Sequence, residues 1–564
     1  LIKTATDFNV LKTNYYYDAV NRPIQTTLPY TNSPNQGNSF TDYDDANLKI
    51  TQTTKDAGNN IVSQGISYSN GRGQTTYSQS LAGASWNVAE VKYDVMGRKV
   101  QTSLPHDINL ANNQIQWTNY QYDLLSRVVQ VTAPDGSVSQ TIYNDNNKPS
   151  SAASNTGNTV RSIDAWGRER WARTDDFGRL VEVVEPDPNG NGSVLSANNM
   201  VTSYSYDALD QLVQVNQGAQ VRAFKYDSLG RLIRQKLAEQ AATIEGLWSD
   251  KFVYDNRSNL IERTDARGVK TTFSYLIGGN LDSLNRLQNI SYDKTSAQNP
   301  TSIADAEMVT IGYKTTGDKT RVETVKTGNP NAPTITETNV YDNLSRVQFY
   351  SISMFGKSAM TSEYAYDTVN RLTSVTYPNA YGTTLSPKVV TPSYDNASRM
   401  IQLNVNGAAQ LSDIVYNPMS QVTSLRTGAY TNNADIEQYS YDNQTGLLTN
   451  QKVIKQNNNQ TLLDLSYNYS RGNSNGSLNG KTGQLTQITN SLDQSRNRKY
   501  EFDTLGRLQT ARGGNPPGGD GIDPSNWTQT YSYDRYGNRT GVTKSGNDAS
   551  NNAVALDGLA SVGY

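Results

Sequence analysis

The sequence predicts an all-β fold in which stacked β-hairpins form one long spiralling sheet, and three observations carry that prediction. A Tyr-Asp pair recurs from one end of the 564 residues to the other. Of 52 acidic residues 13 are Glu and 39 are Asp, the acid that serves turns where Glu serves helices. Tyr outnumbers Phe 36 to 9, so the aromatic content is biased toward rings that keep one end wet.

The pair opens a six-residue signature. It reads Tyr17-Asp18-Ala-Val-Asn-Arg22, Tyr93-Asp94-Val-Met-Gly97-Arg98, Tyr122-Asp123-Leu-Leu-Ser-Arg127 and Tyr226-Asp227-Ser-Leu-Gly230-Arg231. Further on it reads Tyr341-Asp342-Asn-Leu-Ser-Arg346, Tyr366-Asp367-Thr-Val-Asn-Arg371 and Tyr394-Asp395-Asn-Ala-Ser-Arg399. Degenerate copies follow at Tyr206-Asp207, Tyr254-Asp255, Tyr441-Asp442, Phe502-Asp503-Thr-Leu-Gly506-Arg507 and Tyr533-Asp534-Arg-Tyr-Gly-Asn538.

Each copy has the grammar of a hairpin, because polarity alternates both before the Tyr (Thr202 to Tyr206) and after the Arg (Arg231 to Gln235). The Tyr ends the incoming strand with a flat face for cross-strand packing and a hydroxyl for a polar edge. The short Asp carboxylate suits the mouth of the turn, where it accepts backbone N–H groups. Gly, Asn or Ser three residues after the Asp suits a position near positive φ. The Arg opens the return strand, its stem along a neighbouring ring and its guanidinium toward carboxylates or carbonyls.

Where copies adjoin, their aspartates lie 20 to 31 residues apart, as from Asp207 to Asp227 and from Asp503 to Asp534. That is two strands plus loops of variable length. An isolated pair of strands is marginal in water, so neighbouring hairpins must pair edge to edge. The whole chain, 1–564, therefore reads as one continuous β-solenoid, with loop insertions near 29–38, 187–199 and 513–526. A single short helix is expected as decoration over Ala238 to Asp250.

Counting Gly and leaving out Tyr, apolar residues make up about 36% of the chain, against roughly 45–50% in ordinary domains. The composition suits a sheet with much solvated surface. Fifty basic residues balance 52 acidic ones without a basic run, which disfavours electrostatic nucleic-acid binding. No stretch nears about 18 consecutive apolar residues, so no membrane span is expected. The chain begins at Leu1 without a Met or signal peptide and ends at Tyr564 where a further unit would begin, and it reads as an internal fragment.

Cysteine is absent and His106 is the only histidine. Disulfides, thiol chemistry and zinc-thiolate sites lose their residues together, and Ser-His-acid catalysis and multi-histidine metal sites are nearly excluded, with one possible participant. His106, after Leu104-Pro105, reads as an exposed loop residue. The carboxylate pairs Asp175-Asp176 and Glu182 with Glu185 read as solvated, the latter two on opposite strand faces because their separation is odd. Asp187, Asn189 and Asn191 match the opening of a calcium loop, but position twelve is Asn198 and not the required Glu. A plain polar loop is the simpler reading. Gly513 to Gly521 lacks the Lys-Ser/Thr of a phosphate loop and carries Pro516-Pro517, so it reads as an insertion. No catalytic group, metal or cofactor is expected.

From Tyr17 to Asn538 the recurring Tyr-Asp-x-x-Gly/Asn/Ser-Arg-Leu/Val signature resembles the YD repeats of bacterial Rhs proteins, also found in the BC components of Tc toxins and in teneurins. The resemblance implies a sheet coiled into a hollow shell around a C-terminal polypeptide, commonly a toxin. It implies an enclosed cargo or flanking parts of the same protein as partner, and a secreted or bacterial cell-surface location. The paired Asp-Pro core element of complete members is missing, since Asp187-Pro188 and Asp523-Pro524 lie far apart in loops, so autoproteolysis is not carried over. The rival reading is a cell-surface module that binds glycans through exposed rings among Trp86, Trp117, Trp166, Trp171, Trp248 and Trp527. Against it stands packing of those rings between repeats.

Overall fold

The computed structural model describes residues 1–6, 11–28, 37–154, 156–277, 279–297, 299–302, 307–313, 319–326, 335–354, 358–378, 386–428, 434–470, 481–514 and 527–546. The described residues are strands joined by tight turns, with three single-turn 3-10 segments and no α-helix. Every pairing is antiparallel and joins strands close in sequence, as Trp117–Tyr122 with Val128–Thr132 and then Val138–Tyr143. Of the three expected insertions, 187–199 is ordered, while most of 29–38 and 513–526 lies outside the described residues.

The chain divides into two compact units, each drawn from separated stretches. The first comprises Leu1–Asp45, Ile50–Gly65 and Tyr204–Ala408; the second comprises Ala46–Lys49, Ile66–Ser203 and Ala409–Tyr564.

One irregularity repeats at the hairpins. Gln121 faces Gln130 but Tyr122 faces Val128, which leaves Val129 as a bulge. The same slip occurs at Tyr17, Tyr93, Tyr226, Tyr254, Tyr341, Tyr366, Tyr394, Phe502 and Tyr533. A bulge at a fixed place in every unit adds the same increment of bend and right-handed twist each time.

Packing is thin. Whole strands such as Val128–Thr132, Leu212–Gln217 and Val347–Met354 are half-buried on both faces, without an inside and an outside. Among the described residues fifteen hydrophobic side chains are buried, and one cluster stands out: Trp171 with Ala152, Val184 and Val194 in the second unit, with Val201 against it.

Three expectations fail here. Residues 238–250 are not helical: Ile244 bridges to Trp248 around Glu245 and Gly246, both at positive φ, so the segment closes a small loop. His106 is 8% exposed, because its short strand pairs with Ser85–Tyr93 and places the ring against Glu90. Glu182 is 2% exposed and ion-paired with Arg173, whereas Glu185 on the other face meets Arg170 near the surface. In both buried cases a neighbouring strand, invisible in local sequence, supplies the cover.

Candidate functional site: the hairpin ladder and its seams

Each repeat closes on its own aspartate. In the turn at 94–98 the N–H of Gly97 donates to the Asp94 carbonyl, and the Asp94 N–H donates to the carbonyl of Arg98. Asp94 Oδ1 accepts from the N–H groups of Met96 and Arg98, each at 2.9 Å, and Oδ2 accepts from Arg98 Nε at 2.7 Å. The same set recurs at Asp18, Asp123, Asp227, Asp342, Asp367, Asp395 and Asp503 with Arg22, Arg127, Arg231, Arg346, Arg371, Arg399 and Arg507. The residue three after the Asp adopts positive φ, 82° at Gly97 and 62° at Ser126, which explains the choice among Gly, Asn and Ser.

Each repeat also grips the next. The Arg98 guanidinium lies 4.8 Å over the Tyr122 ring, Arg231 lies 4.9 Å over Tyr254, Arg371 lies 5.1 Å over Tyr394 and Arg507 lies 4.7 Å over Tyr533. The Tyr hydroxyl reaches back: Tyr122 donates to the Lys99 carbonyl at 2.6 Å, Tyr366 to Val347 at 2.9 Å, and Tyr533 to Leu508 at 2.8 Å. Arg231, Arg346 and Arg507 each donate through Nη1 to the carbonyl of the next Asp, at 2.9–3.0 Å. Tyrosine supplies this donor where phenylalanine cannot, so the copy that begins at Phe502 makes its turn without that bond.

The same turn occurs without a Tyr before it, at Asp164-Ala-Trp-Gly-Arg168, Asp175-Asp-Phe-Gly-Arg179 and Asp282-Ser-Leu-Asn-Arg286. The signature Asp-x-x-Gly/Asn/Ser-Arg finds these copies once the Tyr is dropped. Neutral copies replace both ions: Asn70 with Gln74 and Asn417 with Gln421 bond amide to amide, and Gln74, Gln421 and Gln484 reach the next turn's Gly97, Gly446 and Gly506 carbonyls.

In several copies the turn geometry favours the ionised carboxylate. The N–H of the arginine four residues on, more than the guanidinium, holds Asp94, Asp123 and Asp227 below the usual carboxylate value, and the Arg286 side chain brings Asp282 from 3.8 to about 2. A carboxyl depressed in the fold stabilises it above the unfolded value and loses that contribution as pH falls through the folded one. The fold is therefore expected to hold its stability from neutrality down to about pH 4 and to lose it progressively from there toward pH 2. Acid titration followed by circular dichroism checks this, and a loss centred between pH 5 and 7 would contradict it.

Within each unit a second kind of contact joins stretches far apart in sequence. In the first, the Ala57 N–H donates to Thr368 Oγ1 at 3.0 Å and Ser398 Oγ donates to the Val62 carbonyl at 3.1 Å. In the second, Gln444 Nε2 donates to the Pro134 carbonyl at 3.2 Å, the Lys481 N–H to Ser137 Oγ at 2.9 Å and Thr504 Oγ1 to the Asp187 carbonyl at 2.6 Å. Arg168 donates to Gln484, and Arg535 donates to the Val201 carbonyl. The partners are 310 to 344 residues apart. Hairpin tips of the later stretch thus seat on the loops at the opposite edge of the earlier one. The 187–199 loop belongs to this seam. Asp187 Oδ1 accepts from the Asn189 N–H and Asn191 Oδ1 from the Ser193 N–H and Ser196 Oγ, so those oxygens serve the loop's own turns. Among the described residues no group of three or more His, Asp or Glu stands close enough to hold a metal ion.

No family model and no curated protein matches the chain. Solved structures do. TcdB2-TccC3 matches at a TM-score of 0.67 and 14% identity over 98% of this chain and 32% of that one. TcdB2-TccC3 without its hypervariable C-terminal region matches at 0.66 and 14%, over 98% and 34%. The Photorhabdus luminescens Tc holotoxin pore matches at 0.63 and 15%, over 93% and 26%. The chain thus spans about a third or less of the chains it matches. Repeat signature and fold agree: the chain resembles the Rhs/YD-repeat family and shares its fold with TcdB2-TccC3.

Proposed function

We propose that these residues form part of the wall of an encapsulating shell, of the kind used by Rhs-type toxin and toxin-delivery proteins, around a C-terminal cargo polypeptide not included in the 564 residues. The role is containment and not catalysis, exercised by a secreted or cell-surface protein. The observation that carries the reading is a sheet half-buried on both faces and almost without an apolar core. Such a wall, rich in Tyr, Asn, Ser and Thr, is stabilised through its own hairpins and offers an enclosed chain little apolar surface to adhere to or fold around. The fold shared with TcdB2-TccC3 supports the same reading. The glycan-binding alternative needs exposed indole rings. Trp166 and Trp171 are buried and the other four tryptophans half-buried, so no observation favours it.

The test is to express the chain joined to the region that follows it in its own reading frame and to challenge that region with protease. Protection only when the repeats are present is expected. Equal cleavage with and without the repeats would remove the basis for containment.

A further inference from the structure

The chain's one histidine is held in an orientation that leaves half of it unanswered. His106 pairs with Val88, which turns its ring to the strand face that carries Glu90. Its Nδ1 lies 3.0 Å from the Leu104 carbonyl and its Nε2 lies 3.6 Å from Glu90 Oε1. A carbonyl only accepts, so Nδ1 is the nitrogen that carries the proton. In the neutral ring Nε2 is then a bare lone pair, and it faces a carboxylate oxygen across a gap too short to seat a water between them.

The other charged and titratable groups around the ring are engaged elsewhere. Asp107, next along the chain, accepts from Ser85 Oγ at 2.6 Å and from the Asn109 N–H at 2.8 Å, and the Ser85 hydroxyl above all holds its carboxyl below the usual value. Lys92, on the same strand face as Glu90, lies 3.8 Å over the Trp117 ring. Tyr77 and Ser103, beside Glu90 on the flanking strands, bring hydroxyls only. Leu104 to Asp107 border a cavity of about 540 Å³, and on its far side Asp442 is paired with Lys481 at 2.6 Å while the Tyr441 hydroxyl donates to the Val422 carbonyl. Glu90 is thus left to the histidine.

We propose that His106 is a proton-operated latch. With Nε2 bare, the ring and Glu90 oppose each other as two acceptors. With a proton taken from solvent onto Nε2, the imidazolium donates to the Leu104 carbonyl on one side and to the Glu90 carboxylate on the other, and it fastens residues 104–110, one wall of the cavity, to strand Ser85–Tyr93. The contact is present in mild acid and is lost as pH rises through the titration of the ring. Histidine changes charge between about pH 5 and 8, an interval over which the turn carboxylates keep theirs, so the change belongs to this residue alone.

A single histidine makes the test direct. Nitrogen-15 spectra of the chain labelled at histidine contain one pair of ring signals, expected to show the proton on Nδ1 alone at about pH 8 and on both nitrogens at about pH 5. Hydrogen exchange in residues 104–110, corrected for the intrinsic effect of pH, is expected to slow about fivefold over the same interval. Glu90→Gln keeps an oxygen toward the ring and removes the charge, and it is expected to hold exchange at the rate of the unlatched state throughout. A proton on Nε2 at about pH 8 would overturn the proposal, as would exchange that does not slow in the unmodified chain, or slowing that survives Glu90→Gln.

Discussion

Replacing Trp171 with alanine is expected to destabilise the second unit by about 3–5 kcal/mol. The ring is fully buried among Ala152, Val184 and Val194, faces Val184 across the strand pair, and anchors the only such cluster among the described residues. Elsewhere a lost side chain is half-solvated and its neighbours move into water; here the cavity has nothing to collapse it. Trp171→Phe should cost far less. The buried indole N–H has no hydrogen-bond partner, so Phe gives up volume and no bond. Urea unfolding followed by near-UV circular dichroism distinguishes the two variants. Equal losses for Ala and Phe would mean that the cluster does not act as a packed core.

The second large effect is expected at Glu182, whose Oε1 accepts from the Ala153 N–H at 2.7 Å and whose Oε2 accepts from Arg173 Nε at 3.1 Å. Glu182→Ala strands a half-buried guanidinium and a backbone N–H, and removing one partner of such a pair costs roughly 3 kcal/mol, the lower end of the range for buried pairs. Removing both charges is a different matter. The double change Glu182→Leu with Arg173→Met leaves only the Ala153 N–H in want of an acceptor, and it should recover most of the loss. A double-mutant cycle measured by denaturant unfolding reads this directly; additive losses would show that the two side chains do not act as a pair. The two sites lie on the same pair of strands, Glu169–Thr174 and Leu180–Glu185, so both experiments report on one region that fixes the 187–199 loop at the seam.

What the sequence disclosed followed from distance along the chain. Tyr, Asp, the positive-φ residue and Arg all act within six positions, so the turn, its strands and the stacking of hairpins were legible in Tyr93 to Arg98 alone. The link from Arg98 to Tyr122 was half legible, since an arginine stem along a neighbouring ring was expected and its regular step to the next repeat was not. The seams were not legible. Thr504, Gln444 and Arg535 bond to backbone carbonyls of Asp187, Pro134 and Val201, and a carbonyl leaves no mark in the residue that bears it. The burial of His106 and Glu182 was hidden for the same reason, because their cover comes from other strands. The expected helix at 238–250 failed where Glu245 and Gly246 turn to positive φ, a local choice that helix propensity does not weigh.

The seam also sets a timetable for synthesis. Every hairpin closes over about twenty residues and can form as soon as it leaves the ribosome, but the 134–137 and 187–188 loops meet their covering tips only after some 310 further residues are made. At roughly 5–20 residues per second that is an interval of about 15–60 s in which a finished sheet waits with a bare edge. The Pro134 and Asp187 carbonyls meanwhile keep water as their donor, and they exchange it for Gln444 and Thr504 only when the later hairpins arrive. The local hairpins and the seams that join them are therefore separate events in time, the second waiting on the length of the chain.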